Sequence, residues 1–318
     1  MSDRGERDIF KNEILPIFPP SIRKALARVD EKHTIRIEEI RMRCQQPIII
    51  RDAEKEYGLD ANTGLTRDIT RSYRISRDEV MRTIAAVSEN SLYAFEEDIK
   101  KGFITIAGGH RVGLAGQVVM QDVGIKALKE FSSICIRIAR EIKGCSAQIM
   151  NFIYTPAGQV ENTLLVSPPR CGKTTLLRDM ARLISLGSRQ SPGKNVVIVD
   201  ERSELAGCCL GVPQLDVGPR TDVLDSCPKA AGMIMAVRSM SPEVVITDEI
   251  GRQEDANAIR ECINAGVSII SSIHAGSMEE LHLRPVMSEL IRDRAFRNVI
   301  LLSRSRGPGS IEKMVRWD

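Results

Sequence analysis

Residues 164–175 constrain this chain more than any other stretch. Leu164, Leu165 and Val166 make a short apolar run that reads as a buried strand closing at Ser167. Pro168, Pro169, Arg170 and Cys171 follow as a loop, and then come Gly172, Lys173, Thr174 and Thr175. Beyond them Leu176, Leu177, Met180, Ala181 and Ile184 recur at helical spacing, one apolar face of a helix. Strand, loop, Gly-Lys-Thr and helix is the context a phosphate-binding loop requires, because backbone N–H groups and a helix N-terminus cradle an anion together. Residues 167–175 are therefore candidate nucleotide contacts. Lys173 is expected to neutralise the outer phosphates and Thr174 to hold Mg²⁺ through its hydroxyl. One position departs from G-x-x-x-x-G-K-[ST]. Ser167 stands where the first glycine belongs, so the turn into the loop is expected to lack a residue that takes positive φ freely.

From residue 162 onward, apolar strands alternate with helices, the pattern of a parallel sheet covered on both faces. Residues 195–199 end in Asp200, Glu201 and Glu204, residues 244–247 in Asp248 and Glu249, and residues 267–273 in His274. Taken singly, an acid after a strand reads as a helix cap, and His274 as a turn histidine. Ligands of such sheets sit at the carboxyl ends of the strands, so three such ends plus the phosphate loop point to one site. Asp248 is placed to bind Mg²⁺ opposite Thr174, and Glu249 to polarise an attacking water. Arg202, Arg238 and Arg252 are candidates for offsetting charge on phosphoryl oxygens. His274 could sense the terminal phosphate. Residues 210–228, with Pro213, Pro219 and Arg220, read as a long functional loop, and Met233 as core filler.

The first half reads as α+β. Ser21, after Pro19 and Pro20, is expected to cap a helix with Ile22, Leu26 and Val29 inside. Residues 34–41 and 47–51 are expected strands, and residues 52–73 a hairpin or loop. Ser76 to Glu79 spell a capping box ahead of Val80, Ile84 and Val87. A helix over residues 90–101 should stop at Gly102. Residues 103–106 and 112–119 form a hairpin around Gly108 and Gly109, with His110 at an exposed tip. Residues 133–138 make a further strand. The domains are expected as 1–150, a smaller α+β domain, and 151–318, the phosphate-loop domain, with a junction between 144 and 158.

The 318 residues suffice for two cores. With 45 basic and 42 acidic residues the net charge is +3, which gives no basic surface of the kind that nucleic-acid affinity rests on. A P-loop nucleic-acid motor, or a nucleic-acid-binding regulator, is nevertheless the alternative reading, since related sheets also drive DNA. Four tyrosines and one tryptophan offer few stacking platforms. No apolar run reaches membrane-span length and no signal core opens the chain, so a soluble cytoplasmic protein is expected. The eight cysteines contain no C-x-x-C, which argues against zinc.

The phosphate loop, the acidic strand ends and the stretch from Gly266 to His274 together resemble the ATPases of type II and type IV secretion and of pilus assembly. That group's acidic box is similar to Val199, Asp200, Glu201, Glu204 and Leu205, although the usual Glu-Asp order appears here as Asp-Glu. The resemblance implies a RecA-like ATPase domain using ATP and Mg²⁺. It adds Asp200 as a metal ligand and Glu201 and Glu204 as catalytic acids. An N-terminal domain that clamps over nucleotide would bring in Arg137 or Arg140. Nearly the full length resembles more closely the stage III sporulation protein AA family, through residues 103–116, 136–141, 211–220 and 238–243. This implies a mother-cell ATPase at the cytoplasmic face of the mother cell–forespore channel. It would be a homo-oligomeric ring, hexameric in expectation, peripheral to the membrane and docked on integral membrane proteins.

Overall fold

The computed structural model describes residues 9–91, 95–121, 124–188 and 191–317. The chain divides into two compact units, Met1–Arg140 and Glu141–Asp318. Gly144 and Ser146 are hydrogen-bonded to Asp179 within the second unit.

In the first unit, helices α1 (Pro20–Leu26) and α2 (Glu31–Thr34) lead into strands β1 (Glu39–Arg43), β2 (Ile49–Arg51), β3 (Glu56–Asp60) and β4 (Gly64–Thr66). Helices α3 (Arg77–Val87) and α4 (Glu96–Lys100) precede β5 (Phe103–Ile106), β6 (His110–Met120) and β7 (Ile125–Arg137). The strands pair antiparallel in the order β4-β3-β2-β1-β7-β6-β5. Ile40, Ile50, Ile104, Val112 and Ile136 point from the sheet into one core with Ile22, Leu26, Val80 and Ile84 of the helices. The α3 capping box forms as read: Ser76 Oγ accepts from Glu79 N, and the Glu79 carboxylate accepts from Ser76 N.

Local details differ from the sequence reading. Pro19, not Ser21, is the cap of α1, with Pro20 supplying the pre-set φ of a first helical residue. Asp30 accepts from Lys32 N at 3.1 Å and nucleates α2, so the first strand starts only at Glu39. Of the helix expected over 90–101, residues 96–100 are helical and 92–94 lie outside the described residues. His110 is buried, not exposed. Gly108 and Gly109, at φ 88° and 78°, fold the turn over so that the ring tucks under it. His110 Nδ1 accepts from Ala139 N at 3.0 Å, and Nε2 meets Glu13 Oε2 at 2.9 Å.

The second unit carries α5 (Ala147–Ile153), β8 (Thr163–Ser167), α6 (Lys173–Leu186), β9 (Val196–Asp200), β10 (Thr221–Asp225) and α7 (Lys229–Ser239). It continues with β11 (Val244–Thr247), α8 (Gln253–Asn264), β12 (Ser268–His274), α9 (Met278–His282), α10 (Pro285–Arg292), β13 (Asn298–Ser303) and β14 (Ser310–Arg316). The sheet order is β10-β9-β11-β12-β8-β13-β14, parallel except at the β13–β14 hairpin. The fold of this unit is RecA-like, a largely parallel sheet covered by helices on both faces, and it follows a smaller α+β unit in the chain. Successive strand residues point to opposite faces. Leu164, Val166, Val197, Val199, Val245 and Ile269 therefore pack on α7, α8 and α10. Leu165, Val196, Ile198, Ile246 and Ile270 pack on α5 and α6. This double burial is why the strands read as continuous apolar runs. Residues 210–228 are not all loop, because Thr221–Asp225 adds an edge strand to β9. Met233 is buried in the core as read. Among the described residues no helix is long and apolar enough to cross a membrane.

Candidate active site

Strand β8 lies between β12 and β13, so the loop leaving it rises at the same sheet end as the tips of β9, β11 and β12. Ser167 is still strand: it pairs with His274 and is fully buried, and its φ is not positive. Position 167 therefore needs no glycine, contrary to the expectation from the motif. Positive φ falls instead on Arg170, at 60°, and Gly172, at 84°. Pro168, Pro169 and Arg170 are exposed, Cys171 is buried, and Thr174 and Thr175 are half-buried on the first turn of α6.

Lys173 is 6% exposed, and its Nζ donates to Ser167 O and Oγ, both at 3.1 Å, to Pro168 O at 3.3 Å and to His274 Nδ1 at 2.7 Å. These acceptors are uncharged. Burial holds the ammonium pKa below its usual value, against the pull of Glu249, Cys171 and Asp248. Since His274 Nδ1 accepts from the ammonium, Nε2 carries the ring proton and donates to Glu249 Oε1 at 2.6 Å. Lysine, imidazole and carboxylate thus form one chain across three strand ends. Glu249 has φ 43°, and its N–H donates to Ser272 Oγ at 3.1 Å, which fixes the backbone at that position. Arg202 Nη1 stands 3.9 Å from Glu249 Oε2.

Asp248, next along, is 4% exposed. Burial pushes its carboxyl up to about 7, with Asp200, Glu249 and Glu204 adding to the rise and Lys229 opposing it. A buried carboxyl short of positive charge, a half-buried Thr174 hydroxyl and an unneutralised Lys173 at a positive-φ cradle fit a nucleoside triphosphate with a divalent cation.

Other expected site residues have structural partners in this chain. Asp200, read as a metal ligand, is fully buried and accepts from Glu204 N at 2.8 Å and from Leu205 N and Ala206 N, both at 2.9 Å. Burial pushes the Asp200 pKa up, the amides pull it down, and Asp225 adds to the rise. Asp200 anchors the loop after β9. Glu201 pairs with Lys229 at the start of α7. The backbone of Glu204 is held on both sides, its N–H by Asp200 and its carbonyl by Arg178 Nη2 at 2.8 Å. Arg252 is exposed at the start of α8, where its N–H donates to Asp255 Oδ2 at 3.0 Å. Arg238 lines a groove between α7 and α8 with Glu254 and Glu261. In the first unit, Arg137 is exposed on β7, and Arg140 donates to Thr34 O at 3.1 Å and Ile37 O at 3.0 Å.

Sequence reasoning missed Lys229, Ser272 and the turn 304–309. Lys229 was detectable as the first residue of a helix that starts at the ligand-bearing edge of the sheet. A polar Ser272 inside an apolar strand was also a signal.

A family model described as "Sporulation stage III, protein AA" matches residues 8–316. The chain is 43% identical over 308 residues to the stage III sporulation protein AA of Bacillus subtilis, covering 96% of this chain and 95% of that protein. In fold it is similar to the Legionella pneumophila ATPase DotB, with TM-score 0.55, 15% identity, and 83% of this chain and 72% of that one covered. It is likewise similar to the pilus retraction motor PilT solved with bound ADP, with TM-score 0.54, 13% identity, and 91% and 77% covered. The two-unit α/β fold and the near-full-length match agree, and the chain belongs to the stage III sporulation protein AA family.

Proposed function

We propose that the chain is an Mg²⁺-dependent ATP hydrolase of the secretion-motor kind. In this reading it acts as a hexameric ring at the cytoplasmic face of the mother cell–forespore channel, docked on the channel's integral membrane proteins, and energises assembly or transport. The observation that carries the catalytic part is the Lys173–His274–Glu249 chain at the phosphate loop. Family membership and the fold-level likeness to secretion ATPases support the cellular part.

Lys173, surrounded by neutral acceptors, supplies the charge for the outer phosphate oxygens. Asp248 and the Thr174 hydroxyl would hold the metal, which would offset negative charge on the phosphoryl group. His274 Nε2–H occupies Glu249 Oε1 and fixes the carboxylate. Glu249 Oε2 is then the oxygen available to orient the attacking water, with Arg202 alongside as a positive neighbour.

Purified full-length protein given Mg²⁺-ATP should release phosphate, and Lys173→Ala should slow this by at least about a hundredfold, the scale of losing a charged transition-state contact. Equal phosphate release by the two proteins refutes the catalytic reading.

A further inference from the structure

The turn between β13 and β14, residues 304–309, is tied to the phosphate loop. Gly309 N–H donates to Cys171 O at 2.8 Å. A Cβ on Gly172 would lie 3.0 Å from Gly309 N, so the two glycines are in backbone contact. The turn is braced internally. Arg306 N–H donates to Ser310 Oγ at 3.1 Å, Ser310 Oγ donates to Gly307 O at 2.6 Å, and Ser303 and Ser305 both bind Glu312. It presents two exposed arginines, Arg304 and Arg306, and the exposed ring of Pro308. A rigid cationic turn therefore stands against one flank of the loop.

The opposite flank carries the reactive groups. His274 ends β12, which neighbours β8 on one side, and Asp248 and Glu249 follow β11 beyond it. The β13–β14 turn lies on the other side of β8. With a terminal phosphate at Lys173 and Glu249, on the β12 side of the loop, the β13 side is the flank left for the nucleoside end. A planar guanidinium stacks on a base face and donates to ribose oxygens, and the ring of Pro308 adds an apolar wall.

We propose that residues 304–309 form the nucleoside subsite, with Arg304 and Arg306 holding the base and ribose. This rests on the ATP-binding reading above. The test compares ATP with inorganic tripolyphosphate, which has the phosphates and no nucleoside, by calorimetry on the full chain. Arg304→Ala/Arg306→Ala should weaken ATP about tenfold, the sum of two exposed guanidinium–ring contacts. The charge-preserving pair Arg304→Lys/Arg306→Lys should weaken ATP about threefold, because lysine keeps the charge and loses the plane. Tripolyphosphate affinity should be unchanged in the lysine pair. Unchanged ATP affinity in both pairs overturns the inference, as does equal loss for the two ligands in the lysine pair. A parent protein that binds ATP no more tightly than tripolyphosphate overturns it too, leaving the phosphate loop intact. A parent that binds neither ligand overturns the ATP-binding reading itself.

Discussion

Asp179, on α6 one turn beyond the phosphate loop, offers the sharpest stability test. It is 4% exposed and gathers Gly144 N at 3.0 Å, Ser146 N at 2.8 Å, Ser146 Oγ at 2.7 Å and Arg182 Nε at 2.9 Å. Replacing it with alanine strands these donors unequally. Gly144 is exposed and its amide can be rehydrated, whereas Ser146 is fully buried and loses acceptors for both N–H and O–H. Two buried orphan donors at about 1–3 kcal/mol each give an expected loss of roughly 2–6 kcal/mol. Asp179→Asn keeps one acceptor oxygen and should lose only about 1–2 kcal/mol. Burial raises the Asp179 pKa, but hydrogen bonds from Ser146, Gly144 and Arg182 outweigh it and hold the group below its ordinary 3.8. The ionised carboxylate is the form the fold prefers. Its contribution is therefore complete above about pH 4 and falls away as pH drops through the lowered folded value. Calorimetry of the full chain should show the second unit melting roughly 10 °C lower in Asp179→Ala at neutral pH. Hydrogen exchange should show α5 losing protection. The gap to the parent should narrow on acidification by about the loss expected in Asp179→Asn, because a protonated carboxyl keeps an acceptor oxygen. A shift below about 2 °C at neutral pH, or one independent of acidification, would refute the accounting.

Two further outcomes follow from the site's surroundings. Gly172→Ala should lose nucleotide binding and about 1–2 kcal/mol of stability, because position 172 has φ 84° and its Cβ would stand 3.0 Å from Gly309 N. Calorimetric titration with ATP and a thermal melt check this, and parental affinity contradicts it. Cys208, 3% exposed, is pushed up to about 12 by burial, with Asp225 and Asp200 adding to the rise. It should escape iodoacetamide at pH 8 in the folded chain and react once denaturant is added, as read by peptide mass. Rapid labelling of the folded protein would contradict the burial.

Much of the second unit was legible because its signals are local. The apolar runs of β8, β9, β11 and β12 record burial on both faces, the α6 stripe records its packing face, and Lys173 and Thr174 sit where strand turns to helix. The Ser76–Glu79 capping box was equally readable, since both partners lie within one turn.

What sequence order could not convey depends on which strands become neighbours. Lys173 and His274 are 101 positions apart and meet because β12 pairs with β8. The same pairing holds Ser167 in the strand and removes the need for a glycine there. Asp200 and His110 looked like site and surface residues. Folding also closed a loop of amides on Asp200, and it turned His110 away from the surface, under two glycines towards Glu13. The turn 304–309 carries no motif, and its place on the phosphate loop follows only from β13 lying beside β8. Periodicity, capping and turn chemistry are written residue by residue, whereas contacts across a sheet are set by strand order, which the whole core decides at once.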